Sequence, residues 1–461
     1  MQRKIVLLLT VLGLASATAL AVPYASGIVD LGGGMYSFTL NQDAANVVIY
    51  RDGATALDLG ALTKGSHTFD LGAGTGYQIH VAGSEVAGWA QISDDNLTQS
   101  KYYSPRGVTI DKRSASPYFG RIYVAEGLGG AVGAGGRITT DGIYVMGADQ
   151  SDVLGQGDNG YAGGVDWSTS SSSPFRISLN QADPADQALF IADWSDAHSG
   201  IWTADTGNMA GAFNEMLDNT GRDGSGVVLE NYGAGPNPLH GSVPGMWVDG
   251  AGADRKLFTL DEDVRLGNVL QYDIGTTTSG YATAPTDRTT DGPGHILNST
   301  ADLVRDEDGS WWLAQYRYTD DDVVCALSHW EDGATAPSWT SGPSTIPLDR
   351  AYGNLDIDNG KNLVAVGSND GHIFILDISD PSNPVLVDTI VHAPGNYVRD
   401  VSFDAAGNLY AVSSSSETMR VYSPGGDWLA VTGSDGTFTL IPEPASLALL
   451  ALGGLALLRR R

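Results

Sequence analysis

Residues 400–412, DVSFDAAGNLYAV, contain two short apolar segments separated by a polar one. The first segment ends at Asp404 and the second begins at Leu409, so the run 404–408 joins them. Asp, Gly and Asn are common in tight turns because they hydrogen-bond to the nearby backbone or accept a positive φ angle. The stretch therefore predicts a β-hairpin, and the fold follows from its repetition.

The hairpin pattern recurs six times between residues 105 and 440, at intervals of about 45 to 70 residues. The first predicted strands are 107–111, 176–180, 245–249, 301–306, 354–358 and 400–404. The second strands are 121–125, 188–192, 256–260, 310–314, 362–366 and 408–412, and the third are 142–145, 200–203, 269–272, 323–326, 372–375 and 419–422. Such repeats are typical of β-propellers, in which radial closure leaves few exposed edges. The sequence predicts an all-β fold with a propeller of about six blades over residues 105–440; five or seven blades remain open.

The repeats resemble the NHL type, whose pattern of a short apolar strand, Asp, a turn and Gly-Asn-Leu-Tyr-Ala-Val is clearest at 401–412. Residues 373–387, IFILDISDPSNPVLV, resemble the LVIVD repeat of bacterial surface propellers. Both resemblances imply a propeller. Because propellers host enzymes and binding platforms alike, neither resemblance implies a function.

Residues 27–95 predict a separate small β module in front of the propeller. Short strands at 37–40, 47–50, 67–71 and 77–81 are separated by turn signals such as Asp52-Gly53. Their number predicts a β-sandwich. The order is similar to the Ig-like domain of flagellar hook-cap proteins, although the Trp-Asp-Gly turn of such domains is replaced by Phe69-Asp70-Leu71.

The N-terminal segment, residues 1–21, predicts a secretory signal helix. Two basic residues, Arg3 and Lys4, precede a short apolar stretch that ends in Ala19-Leu20-Ala21. A basic start, an apolar segment and an A-x-A site are the parts of a signal peptide. We expect cleavage after Ala21, with Ala25 as the alternative, and therefore export of the protein.

The C-terminal segment, residues 441–461, begins with the motif Pro442-Glu443-Pro444. An apolar stretch, 445–458, follows and predicts a short hydrophobic helix, and the chain ends in Arg459, Arg460 and Arg461. This layout resembles the PEP-CTERM sorting tail. The resemblance implies recognition by an exosortase, an intramembrane transpeptidase, a transient membrane anchor and removal of the tail near the motif. The positive-inside rule would hold the Arg cluster on the cytoplasmic side.

The charge of the chain excludes one class of partner. Asp and Glu number 54 against 25 Lys and Arg, giving a formal net charge of −29. A surface this acidic repels the phosphate backbone, so we expect no nucleic-acid partner.

Acids at matching positions of the repeats predict one candidate metal site. Glu126, Asp193 and Asp261 directly follow the second strands of the first three repeats, and Gln315 and Ser368-Asn369-Asp370 follow those of the next two. Their oxygen ligands would suit calcium. Propeller lactonases of the gluconolactonase type hold a divalent metal with such residues, so a resemblance to them would imply a secreted metal-dependent hydrolase. The alternative is that these acids are solvated loop residues, and we assign no catalytic residue and no cofactor.

Tryptophans supply a second candidate feature. Trp194, Trp202, Trp247, Trp311, Trp312, Trp330 and Trp339 lie in or beside predicted strands. They could stack on sugar rings in an exposed groove, or fill the space between blades. The sequence as a whole predicts an exported envelope or extracellular protein whose propeller binds polysaccharide or protein, with the lactonase-type hydrolase as the alternative.

Overall fold

The structure is a computed structural model that describes residues 22–52, 55–83, 88–133, 136–194, 200–217, 243–261, 268–281, 283–289, 301–316, 326–342, 348, 350–426 and 428–442. The predicted signal segment and all of the sorting tail after Pro442 lie outside these residues. Among the described residues, the structure contains no helix with the length and apolar character of a membrane span.

The chain begins with a small β module. Its N-terminal strands are β1 Ala25–Gly32, β2 Met35–Leu40, β3 Ala44–Arg51, β4 Thr55–Leu62, β5 Gly65–Asp70 and β6 Tyr77–Ala82. One sheet has the order β1-β2-β5, and the other contains β6, β3 and β4. Phe38 from the first sheet and Val47, Ile49 and Ile79 from the second lie in one buried cluster, so the two sheets form a sandwich.

In the part of the chain that the structure describes, twenty-five further strands follow β6 before the chain returns to the module. They are β7 Ala90–Gln91, β8 Pro105–Ile110, β9 Ile122–Glu126, β10 Gly130–Ala131, β11 Ile138–Thr139, β12 Gly142–Met146, β13 Ile177–Leu179, β14 Ala188–Asp193, β15 Gly200–Asp205, β16 Asn214–Leu217, β17 Gly245–Asp249, β18 Lys256–Leu260, β19 Leu270–Tyr272, β20 Thr286–Asp287, β21 Ala301–Arg305, β22 Trp311–Gln315, β23 Leu327–Trp330, β24 Trp339–Thr340, β25 Ala351–Asp358, β26 Leu363–Ser368, β27 His372–Asp377, β28 Val385–Val391, β29 Asp400–Phe403, β30 Leu409–Ser413 and β31 Thr418–Ser423. Three short 3-10 helices lie between them in the described residues: Thr98–Ser100, Trp167–Thr169 and Gly252–Asp254.

Six antiparallel sheets form the propeller. The first blade has the order β8-β9-β12, the next four are β13 to β16, β17 to β20, β21 to β24 and β25 to β28, and the sixth is β29-β30-β31-β7. The innermost strands β8, β13, β17, β21, β25 and β29 each contact the next, and β29 contacts β8, so the ring is closed. Strands such as β8 and β14 are buried along their whole length because neighbouring blades cover both faces, which explains the nearly continuous apolar sequence of β14.

The turns between first and second strands form as the opening motif predicts. In the sixth blade, the Asp404 amide donates to the Asn408 carbonyl, while the Asp404 carboxylate accepts the amides of Ala406 and Asn408. Gly407 has a φ of 77°, a conformation that favours glycine. The predicted hairpin is confirmed.

The predicted third strand of the fourth repeat, 323–326, lies just before the strand that the structure describes at this place. Most of it lies outside the described residues, and the strand that pairs with β22 is β23, Leu327–Trp330. His329 and Ser328 make this strand look polar in the sequence. The structure accommodates His329 because its two ring nitrogens lie 2.6 and 2.9 Å from the hydroxyls of Ser338 and Ser310.

The boundary between module and propeller differs from the predicted one at both ends. Strand β7, predicted within the module (27–95), pairs with β31 and completes the sixth blade. Strands β32 Trp428–Gly433 and β33 Phe438–Pro442 lie mostly within the range predicted for the propeller (105–440). Instead, β32 pairs with β6 of the module, and β33 pairs with β32. The five-stranded module sheet therefore has the order β33-β32-β6-β3-β4.

The module packs on the propeller through an aromatic contact. Tyr24 is fully buried, and its ring lies 5.5 Å from that of Phe119 in the first blade and 5.7 Å from that of Phe438 in β33. Val22 donates its amide to the Ser423 hydroxyl at 3.1 Å. The first described residues thus lie between the two units.

Candidate functional site

The propeller axis is the first place to look for a site, because all six inner strands meet there. The cavity on the axis has a volume of about 40 Å³, enough for about one to three water molecules. It is narrow because charged side chains from different blades meet in it, chiefly Arg176, Asp302, Asp356 and Asp400.

Arg176 connects four blades. Its Nε lies 3.3 Å from Asp302 Oδ2, and its Nη1 lies 3.9 Å from Asp400 Oδ1. The same Nη1 donates to the carbonyl of Arg399 at 2.7 Å and to that of Arg106. A guanidinium is suited to this position because its planar set of donors can serve several acceptors at once.

The acids beside Arg176 are strongly perturbed by burial. Burial raises the pKa of Asp400 to about 6, although Arg176 and the amides of Val108 and Val401 act in the opposite direction. Burial also raises the pKa of Asp302 well above its ordinary value, against the effect of Arg176. The arginine is therefore the counter-charge for both acids.

A second ion pair closes the other part of the axis. Asp356 Oδ2 accepts from Lys112 Nζ at 2.7 Å, from the Ser402 hydroxyl at 3.1 Å and from the Phe403 amide at 2.7 Å. The fifth blade is thus tied to the first and the sixth. The axis is occupied by hydrogen-bonded ion pairs, which hold the blades together.

The predicted metal residues are not brought together. Within the described residues, no group of three His, Cys, Asp or Glu side chains is arranged to hold a metal ion. Glu126 and Asp193 end strands β9 and β14, and Asp261 follows β18; all three are fully buried. The alternative prediction of solvated loop acids is therefore wrong for these three, whereas Asp370 is an exposed turn residue, as that alternative predicts.

Each buried acid whose partner is resolved serves its own blade. Glu126 Oε1 accepts the amide of Ser104 at 2.5 Å, and Asp193 Oδ1 accepts the hydroxyl of Ser173. Ser104 and Ser173 precede the inner strands of the same two blades, so these acids fasten the end of a second strand to the segment that enters the blade. Burial raises the pKa of Glu126 to about 8 despite its hydrogen bonds from backbone amides.

Gln315 and Ser368 occupy the corresponding positions of the fourth and fifth blades. Both are buried. The hydroxyl of Ser368 donates to Asp370 and accepts the amide of His372 at 3.0 Å, so it too acts within its blade.

The tryptophans pack between blades, as the second of the two interpretations predicts. Trp311, Trp312 and Trp330 are fully buried, and none of the ten tryptophans is exposed. Trp312 and Trp339 lie 5.8 Å apart in a cluster shared by the fourth and fifth blades. An exposed aromatic platform for sugar rings is therefore not formed by these residues.

A surface groove between the second and third blades was not predicted. It has a volume of about 460 Å³, within the range of roughly 300 to 1,000 Å³ that is usual for small-molecule sites. Its walls are the turn before β14, the outer strands β15 and β16, the turn before β18 and the segment after β19. Asp183, Asp205, Asn214 and Thr278 supply polar groups, and Ala185 and Ala188 supply apolar surface.

The buried side chain of Arg255 holds together the segments that form the base of the groove. This residue is only 5% exposed, and its Nη1 lies 2.7 Å from Asp186 Oδ2. Its Nε and Nη2 donate to the carbonyls of Gly275 and Thr277 at 2.7 and 2.6 Å. The guanidinium thereby joins the second blade to two segments of the third.

The predicted sorting residues meet the folded body at one point. Pro442 is the last residue of β33 and lies opposite Trp428. Glu443, Pro444, Arg459, Arg460 and Arg461 lie outside the described residues, as do Ala19 and Ala21 of the predicted signal cleavage site.

No protein-family model and no curated protein matches this chain. Among solved structures, the chain is similar to a structural genomics protein of unknown function from Bacteroides thetaiotaomicron VPI-5482, with 10% sequence identity, a TM-score of 0.44 and coverage of 87% of this chain and 98% of that one. It is also similar to the WD40 repeats of RRP9, with 9% identity, a TM-score of 0.40 and coverage of 74% and 99%. The function has to be argued from the side chains of this chain itself.

Proposed function

We propose that this protein is an exported envelope or extracellular protein, sorted by an exosortase-type system, whose propeller is a binding platform for polysaccharide or protein. The basic and apolar N-terminal segment supports export. The motif Pro442-Glu443-Pro444, the short apolar stretch and the terminal Arg cluster support sorting through a transient membrane anchor.

The filled axis is the observation that favours binding over catalysis. A cavity of about 40 Å³ is far below the roughly 300 Å³ at the lower end of small-molecule sites. The charged side chains on the axis form ion pairs with one another across blades. Glu126 and Asp193 form hydrogen bonds within their own blades. The surface of the propeller is left as the place where a partner binds.

The position of Pro442 supports processing beside the folded body. Strand β33 is an edge strand of the module sheet, and the motif begins at its last residue. Two prolines in three residues cannot continue a helix, so we expect the motif to be extended. An extended, accessible segment is what a peptidase requires.

The sorting proposal is tested with the full-length chain in a bacterium that carries an exosortase-type enzyme. Glu443→Ala, and separately deletion of residues 459–461, should leave an unprocessed or mislocalised precursor, followed by electrophoretic mobility and membrane fractionation. The matched control is Glu307→Ala, which removes an exposed acid from a turn of the propeller. Normal maturation of both tail variants would rule out the proposal.

A further inference from the structure

Hydrogen bonds within the protein fix the shape of the groove between the second and third blades. Its walls are held by hydrogen bonds that do not depend on a ligand: Asp183 Oδ1 accepts the Ala185 amide at 2.9 Å, and Asp183 Oδ2 accepts the Gly252 amide at 3.3 Å from the neighbouring blade. The hydroxyl of Thr203 donates to the Thr278 carbonyl at 2.6 Å. These contacts fix the groove before anything binds, which lowers the entropic cost of binding.

The chemistry of the groove combines two kinds of surface. Ala188 is a buried alanine and Ala185 an exposed one, and both line the groove. Around them stand carboxylates, side-chain amides and hydroxyls, including the exposed Asp205 and Asn214 at the rim. A sugar ring has the same two characters, because its C–H groups are apolar and each hydroxyl can both donate and accept. Carboxylates and amides accept from such hydroxyls, and amides also donate to them.

The charge of the groove narrows the ligand class. Three carboxylates, Asp183, Asp186 and Asp205, face one guanidinium, Arg255, which is already paired with Asp186. Three negative charges against one positive leave an excess of two negative charges. The chain as a whole carries −29. A ligand rich in carboxylate or sulfate would be repelled at long range and at contact.

We propose that this groove binds a sugar residue without acidic groups, within a neutral or amino-substituted glycan. The inference rests on the proposed binding function and gives it a site and a ligand class. The polar wall residues contribute hydrogen bonds, and Ala185 and Ala188 receive the apolar face of the ring.

The test uses the full-length protein purified from the expressing bacterium and five probes measured by titration calorimetry. The probes are neutral hexasaccharides of glucose, galactose and mannose, a hexamer of glucosamine and a hexamer of galacturonate. Ala185→Trp places a large side chain on an exposed position of the groove wall. The matched control, Ala182→Trp, lies exposed on the same turn but outside the groove lining. Asn214→Ala removes a rim amide without filling the groove.

We expect at least one neutral or amino hexamer to bind the unmodified protein and Ala182→Trp equally. It should bind at least about tenfold more weakly to Ala185→Trp, and several-fold more weakly to Asn214→Ala, a tenfold change being readily measured. Equal binding by Ala185→Trp would place the glycan elsewhere, overturning the groove assignment while leaving the binding platform intact. Binding of galacturonate alone would overturn the ligand class. Binding of no hexamer would overturn the inference, whereas export and sorting are judged separately by processing of the tail variants.

Discussion

Replacing Glu126 by Gln should remove a pH-dependent loss of stability from the first blade. In the folded protein this side chain is fully buried at the end of β9, and burial raises its pKa to about 8 from an ordinary value of 4.5. In the unfolded chain it is solvated. The folded protein therefore keeps a proton that the unfolded chain loses as the pH rises above about 4.5.

The direction in which stability changes with pH follows from the difference in proton binding between the folded and unfolded states. Because the folded pKa is raised, the contribution of this group to stability is fully present below the unfolded pKa and is lost as the pH rises toward about 8. Where only the folded state holds the proton, the free energy of unfolding falls by about 1.4 kcal/mol per pH unit. Over the two units between about pH 5.5 and 7.5, this amounts to about 3 kcal/mol. A neutral Gln keeps the acceptor for the Ser104 amide and loses the titration.

The assay is urea unfolding at several pH values, comparing the unmodified protein with Glu126→Gln. The variant should match the unmodified protein near pH 4.5 and be more stable by about 4 kcal/mol near pH 7.5, about 3 kcal/mol of which arises between about pH 5.5 and 7.5. Glu307→Gln, which removes the same charge from an exposed turn, controls for the change in net charge. Asp400 and Asp404, whose pKa values burial raises to about 6, titrate alike in all three proteins. A constant difference between Glu126→Gln and the unmodified protein across this range would refute the reasoning.

Two further predictions concern the propeller as a closed ring. Arg176→Met leaves the buried Asp302 and Asp400 without their shared guanidinium and should lower the free energy of unfolding by about 3 to 5 kcal/mol. Arg288→Met, which removes a half-exposed pair with Asp332, should cost at most about 1 kcal/mol, and equal losses in urea would contradict the role assigned to Arg176. Ile92→Pro removes the amide that donates to the Val421 carbonyl at 2.8 Å and should cost about 3 kcal/mol with faster hydrogen exchange in β31. Ile92→Val keeps that amide and should cost about 1 kcal/mol; the same exchange rates in both variants would show that β7 does not close the ring.

The sequence predicts the repeated part of the fold well because the information is local. Apolar strands and an Asp-Gly-Asn turn lie within about a dozen residues of one another, as in 400–412, and these features identify the inner hairpin of each blade. Strands that pair with a partner far away in the sequence could not be assigned from such local features. Strand β32 pairs with β6, with Ala430 opposite Val81, and a β pairing over such a separation leaves no mark in a sequence window.

The ion pairs on the propeller axis also could not be predicted from a short stretch of sequence. Asp302 and Asp400 each lie four residues before a turn acid, Asp306 and Asp404, in strands that are otherwise apolar. A charged residue repeated inside a buried strand is rare unless it is paired, and that signal was available. Its partner, Arg176, lies two blades away in each direction along the ring, so only the closed structure identifies it. The groove is similarly formed by turns of two blades that no single repeat contains.

The way the chain begins and ends each unit has a consequence for its synthesis. Strand β7 pairs with β31, and β6 pairs with β32, so the propeller is complete only after Ser423 has been made and β6 finds its partner only after Gly433. A chain that stops before β31 exposes unpaired edges in both units, and such edges favour aggregation. The motif of the predicted tail begins nine residues after Gly433, at Pro442. A chain that carries the whole predicted tail therefore always carries β31 and β32, the strands that complete the pairing of the propeller and of the module.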